Sequence, residues 1–153
     1  MSIEQIPVDK VFISPGRTIS EGEFGVLHSL TWATQELHTN KEYSKNTIHG
    51  ERVLLGTLIV ALISGLEAKS DWEQGVWAAG FRGIGLLGID KVRFSKPVKP
   101  GDTLVAHTQI IEVRPSRKNP KRIILARKTE AYNQRGELVA ELVSTALFES
   151  VSG

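Results

Sequence analysis

The residues of this 153-residue chain best suited to proton transfer at neutral pH fall in one short stretch, Thr34-Gln-Glu-Leu-His-Thr-Asn40. His38 is central to it, because an imidazole with an unperturbed pKa near ~6.5 can act as base or acid close to pH 7. Glu36 lies two positions earlier. If the segment is locally extended, the two side chains leave the backbone on the same side, which makes Glu36 the nearest carboxylate to His38. His49 and Glu51 flank Gly50 a little further on, where either could reach a pocket mouth. Each of these residues also has a plain reading, as an exposed or merely structural polar side chain.

Other chemistries are excluded or unsupported. The chain has no cysteine, so disulfides, thiolate metal sites and a cysteine nucleophile are ruled out, and the composition fits a reducing cytoplasm. No Walker loop, dinucleotide fingerprint, metal-ligand spacing or nucleophile elbow is present, and neither a metal nor a cofactor is expected. Nineteen Lys and Arg against seventeen Asp and Glu leave a net charge of +2, too small to argue for nucleic acid. The one concentration of charge is the basic run Arg114, Arg117, Lys118, Lys121, Arg122, Arg127 and Lys128, which lacks interleaved aromatics. It would suit the phosphates of a coenzyme or carrier arm, or be a solvated hairpin. The start MSIEQIPVDKVF shows no basic region followed by an apolar run, so no secretory leader is expected.

The elements that must position His38 can be read from pattern. With 41% hydrophobic and 24% charged residues, the chain is expected to form one globular domain over residues 1–153. Ser20 followed by Glu23 forms a capping box, so a helix is expected from Ser20 to about Ala33. Asn40 can cap a short helix over Lys41 to Lys45, which puts His38 in a loop between helices. Val53 to Leu66 carries no charge, but it is shorter than the ~20 residues a membrane span needs, and is read as a buried helix running to Glu67. Val76 to Phe81, Lys91 to Phe94, Thr103 to Val113, Arg122 to Tyr132 and Glu137 to Phe148 read as strands, with a hairpin turn at Asn133-Gln-Arg-Gly136. The order is α+β: a long central helix wrapped by a curved antiparallel β-sheet. A single such sheet leaves edges uncovered, so a homodimer or higher homo-oligomer is expected.

Three blocks resemble one family. Leu30-Thr-Trp-Ala-Thr-Gln-Glu-Leu-His-Thr-Asn40 is similar to the hydratase motif of MaoC-like dehydratases and (R)-specific enoyl-CoA hydratases. Gly50-Glu-Arg-Val-Leu-Leu-Gly-Thr-Leu58 resembles their Gly-rich turn. Val92-Arg-Phe-Ser-Lys-Pro-Val-Lys-Pro-Gly-Asp-Thr103 resembles their strand and Gly-Asp-Thr turn. The resemblance implies a hot-dog fold and a cytoplasmic, cofactor-free hydro-lyase. Such an enzyme would add water to a 2-enoyl thioester of CoA or acyl carrier protein, or remove it from a 3-hydroxyacyl thioester.

The same resemblance implies that His38 is catalytic, that the Gly56 N–H polarises the thioester carbonyl, and that Ser64 supports the catalytic loop. The family's Asp falls on Ala33, and an alanine transfers no proton, so Glu36 becomes the candidate replacement. A binding or partner subunit without activity is the alternative reading, and an acyl-CoA thioesterase a weaker one.

Overall fold

The computed structural model describes residues 2–151. A 3-10 turn at Ile3–Gln5 precedes two short strands, β1 (Val11–Ile13) and β2 (Arg17–Thr18). Helices α1 (Glu21–Leu30), α2 (Glu36–Thr39), α3 (Lys41–Lys45), α4 (Gly56–Glu67) and α5 (Trp72–Ala78) follow, and then four long strands. These are β3 (Phe81–Phe94), β4 (Thr103–Pro115), β5 (Arg122–Asn133) and β6 (Leu138–Ser150). All pairings are antiparallel in the order β1-β4-β5-β6-β3, with β2 beside β1 on β4, so β3 is the long edge strand and the short β1 and β2 form the other edge. Register shifts interrupt β3 three times and β4 and β6 once each, and such bulges increase the local bend and twist of a strand.

The sheet and α4 bury each other. Leu58, Ile59, Leu62, Ile63 and Leu66 of α4 recur at helical spacing and pack with Leu104, Ala106, Ala131, Val139 and Leu142 of the sheet. A second cluster fills the opposite end, where Trp72 and Val76 of α5 meet Ile110, Leu125 and Phe148. The C-terminal residue of α4 is a buried Glu67. Its carboxylate accepts from Arg127 Nη2 at 3.2 Å and from the Thr129 hydroxyl, so a buried charge is paired and hydrogen-bonded. Arg127 therefore belongs to the core and not to a solvated hairpin.

Several boundaries differ from the pattern reading. Helix α1 keeps its Ser20 and Glu23 capping box but ends at Leu30, where the Thr31 hydroxyl bonds the Leu27 carbonyl and Trp32 turns left-handed at φ 57°. Helix α4 begins at Gly56 and not Val53, because the Leu54 N–H is taken by Val98 O at 2.7 Å and Leu55 is extended. Val76 to Phe81 is not a strand. Val76 lies in α5 on the same face as Trp72, and Gly80, at φ 87°, caps that helix before β3 starts.

Candidate active site

His38 lies in α2 and not in a loop, and the residue is only 8% exposed. The four residues of α2 are held in one helical turn by hydrogen bonds from the Thr39 hydroxyl to the carbonyls of Thr34 and Gln35, and from the Ser44 hydroxyl to Leu37 O. Asn40 then caps α3 through the Tyr43 N–H, as its position suggested. His38 Nδ1 lies 2.6 Å from Val53 O. A carbonyl only accepts, so Nδ1 carries the proton, and Nε2 of the neutral ring keeps its lone pair. No atom of the described residues is hydrogen-bonded to that Nε2.

The helical turn removes the basis for pairing Glu36 with His38. Residues two apart on a helix do not face each other, and Glu36 is exposed, its carboxylate accepting from Asn40 Nδ2 at 3.2 Å. The group that does meet His38 is His28 of α1, which pattern reading passed over as one polar residue on a helix. Its ring stacks on that of His38, with centroids 5.0 Å apart and planes 12° from parallel. His28 is buried, its Nδ1 2.8 Å from Phe24 O, while its Nε2 accepts the Leu55 N–H at 3.2 Å. Burial pushes the His28 pKa below its usual value; the bond to Phe24 opposes the shift, and the nearby His38 and Arg52 add to it. The only signal in sequence was the spacing Phe24 to His28, one helical turn, just before the His38 segment.

Val53 carries the geometry from His38 to the start of α4. A cleft of about 360 Å³ is lined by Val53, Leu54, Gly56, Ile59, Phe94 and His49, so His49 does reach this surface. A Cβ at Gly56 would stand 3.0 Å from Phe94 Cζ, so any larger residue here needs the Phe94 ring to shift. Among the described residues, no acceptor is bonded to the N–H groups of Gly56 and Thr57; the first helical bonds come from Leu58 and Ile59 to Leu55 O. Two free donors at a helix N-terminus, where the dipole is positive, suit an oxygen that gains negative charge. Ala33 is buried, its backbone N–H bonded to His28 O at 3.0 Å, and it offers no carboxylate.

Two further residues lie away from this arrangement. Ser64 is two turns along α4 from Gly56, about 12 Å at ~1.5 Å per residue. Its hydroxyl donates back to Val60 O at 3.2 Å, and it lines a different cleft beside Glu67 and Trp72. The basic hairpin is further still. Phe94 and Thr103 lie at one end of the sheet, and the turn between Pro115 and Arg122 at the other. The 13 residues of β4 separate them by about 40 Å at ~3.3 Å per residue. There Arg114 pairs with Glu112 and Arg122 with Glu149, whereas Arg117, Lys118 and Lys121 have no ion-pair partner among the described residues. No helix among the described residues is long and apolar enough to cross a membrane.

Comparison with known proteins agrees with this architecture. Residues 4–131 match the MaoC like domain. Protein MaoC of Klebsiella aerogenes is 30% identical over 102 residues, which is 66% of this chain but 28% of that protein. An (R)-specific enoyl-CoA hydratase of Rhodospirillum rubrum is 26% identical over 106 residues, covering 69% of this chain and 67% of that one. The chain thus spans well under two thirds of some of its curated relatives. Among solved structures, a monoamine oxidase regulatory protein from Archaeoglobus superposes with TM-score 0.82 at 28% identity, covering 99% of this chain and 95% of that one. The α4 helix with its antiparallel sheet is a hot-dog fold, and the chain belongs to the MaoC-like dehydratase domain family.

Proposed function

We propose that this protein is a hydro-lyase that adds water to a 2-enoyl thioester, or removes it from the 3-hydroxyacyl thioester, with His38 as its one proton-transfer side chain. The observation that carries this reading is the commitment of His38 Nδ1 to the carbonyl of Val53, three residues before Gly56, which leaves Nε2 without a described partner while two N–H donors stand free at the start of α4. In hydration, Nε2 takes a proton from water as the water oxygen bonds to C3. The electron pair of the double bond moves toward the thioester oxygen, where the Gly56 and Thr57 N–H groups stabilise the charge. The imidazolium then returns a proton to C2, so one group serves both transfers and the ring ends neutral. Dehydration is the reverse.

Ala33 favours a second reading: a subunit that binds the thioester while turnover occurs elsewhere, because the buried position beside His28 supplies no second acid. One measurement separates the two. Hydration of a short 2-enoyl-CoA, followed by loss of enoyl absorbance, is expected in the wild type and absent from His38→Ala; binding without turnover in the wild type would favour the partner subunit.

The reading includes a second copy of the chain in a cytoplasmic homodimer. The free edge β3 exposes Ile84, Leu86, Leu87 and Phe94 and leaves one row of backbone groups unpaired, which a copy related by a two-fold axis through mid-strand would cover. Such pairing runs β3 antiparallel to its copy, so the copy's basic hairpin arrives at this chain's Phe94 end. Three strand spacings of ~4.8 Å, about 15 Å, then separate the two, within reach of the coenzyme's phosphate-bearing arm, unlike the distance within one chain.

A further inference from the structure

We infer that His28 is a positioning residue, whose neutral ring both carries the face of His38 and holds the turn that presents the Gly56 and Thr57 N–H groups. The inference rests on the reading of those groups as the thioester site and names what sets their geometry.

Both ring nitrogens of His28 are already used. Nδ1–H donates to Phe24 O at 2.8 Å, and Nε2 accepts the Leu55 N–H at 3.2 Å. Leu55 is the N-cap of α4 and its own side chain caps nothing, so the imidazole of another helix takes the N–H just ahead of the free donors. The turn is thereby pinned from α1, while Phe94 closes on Gly56 from β3. A proton on His28 Nε2 would repel the Leu55 N–H and release the turn. Burial under Phe24, whose ring centroid is 4.5 Å away, keeps that proton off. The charged or titratable groups around it act in the same sense: His38 stacks on one face, and Arg52 of the preceding segment, itself paired with Glu21 of α1, adds positive potential. Both ring nitrogens of His28 are thus committed, whereas no described residue bonds Nε2 of His38.

Two substitutions divide these duties. His28→Phe keeps a flat ring under His38 and loses the acceptor for Leu55; His28→Gln keeps an acceptor and loses the ring. Bound butanoyl-CoA labelled with carbon-13 at the thioester carbonyl reports the oxyanion donors through its infrared stretch, whether or not turnover occurs. The expected result is a lowered carbonyl frequency in the wild type, mostly lost in His28→Phe and mostly kept in His28→Gln. With 2-enoyl-CoA, His28→Phe is expected to lose about 10- to 100-fold in kcat at little change in KM, and His28→Gln less than about 5-fold. Nitrogen-15 spectra at neutral pH are expected to show His28 as the neutral Nδ1–H tautomer.

An unchanged carbonyl shift in His28→Phe overturns the inference, as does equal loss in both folded variants, or His28 titrating at the ordinary histidine pKa. If the wild type binds thioester without hydrating it, the hydro-lyase reading fails, while the carbonyl stretch and the tautomer still decide the role of His28.

Discussion

His28 and His38 lie face to face with centroids 5.0 Å apart, and each commits its Nδ1 to a backbone carbonyl, Phe24 O and Val53 O respectively. The difference lies in Nε2. In His28 it is occupied by the Leu55 N–H, and in His38 no described residue bonds it. Two identical side chains in contact are thus divided by their hydrogen bonds into a ring with both nitrogens committed and a ring with one nitrogen unbonded by any described residue.

That relationship sets the cost of removing His38. A loop histidine would be deleted without consequence for stability, but this one is buried, stacked and bonded to Val53 O. His38→Ala is expected to destabilise by about 1–3 kcal/mol, from one lost hydrogen bond and an orphaned buried carbonyl, and to abolish hydration. Urea denaturation together with the enoyl assay checks both halves. A folded His38→Ala with wild-type activity would remove His38 from the mechanism.

Stability should also depend on pH through His28. Its pKa is lowered in the folded state, so the unfolded chain binds a proton there that the native one refuses. Stability from this group is complete above the unfolded value near ~6.5 and is lost as pH falls through the folded pKa. Melting temperatures recorded from about pH 7.5 to 5 should fall more steeply for the wild type than for His28→Gln. Parallel curves would mean that His28 contributes nothing to the acid sensitivity.

The fold was largely legible because its signals are local: the Ser20 and Glu23 capping box, the Asn40 cap, the Gly136 turn and the apolar face of α4 each announce themselves within a few residues. Val76 to Phe81 misled because β-branched and aromatic residues suit a strand, whereas the packing of Trp72 and Val76 against Phe148 and Leu125 decided for a helix. The site was only half legible. His38 stood in a recognisable block, but His28 lies ten positions earlier, on another helix, and its partner Leu55 is 27 residues away. Only the folded chain brings those three together. The same holds for Arg127, a member of a basic run by sequence and the partner of Glu67 in space.

The position of the hairpin makes a prediction about which copy serves which site. One chain carries His38→Ala, and a second carries Arg117, Lys118 and Lys121 changed to Ala; each homodimer alone should be poor on an enoyl-CoA, the second through a KM raised about 10-fold or more. In mixed dimers, an intact hairpin acting across the interface restores one complete site, while an arrangement within each chain restores none. Recovery of low-KM activity at about half the wild-type level per mixed dimer is therefore expected. An enoyl-pantetheine substrate without the coenzyme phosphates should show no KM difference between wild type and the hairpin variant.

Ala33→Asp tests what the missing carboxylate has cost. Ala33 is buried, and its N–H bonds the His28 carbonyl, so a carboxylate there would be buried on the backbone next to the helix that carries His28. Taking an ionised group out of water is unfavourable unless it is paired. The partner it would need is an imidazolium at His38, which a carboxylate in contact would stabilise. A second positioned proton-transfer group is worth roughly 10²-fold in rate at the lower end of the usual range, so Ala33→Asp should accelerate hydration by about that factor. Its acid limb should shift upward, because the imidazolium is now stabilised. The variant should lose about 1–3 kcal/mol wherever the new carboxylate is buried without a partner. The pH–rate profile is the deciding measurement. A folded Ala33→Asp with neither acceleration nor an altered profile would mean that the carboxylate does not reach His38 Nε2 or its water, and that this pocket works with the imidazole alone.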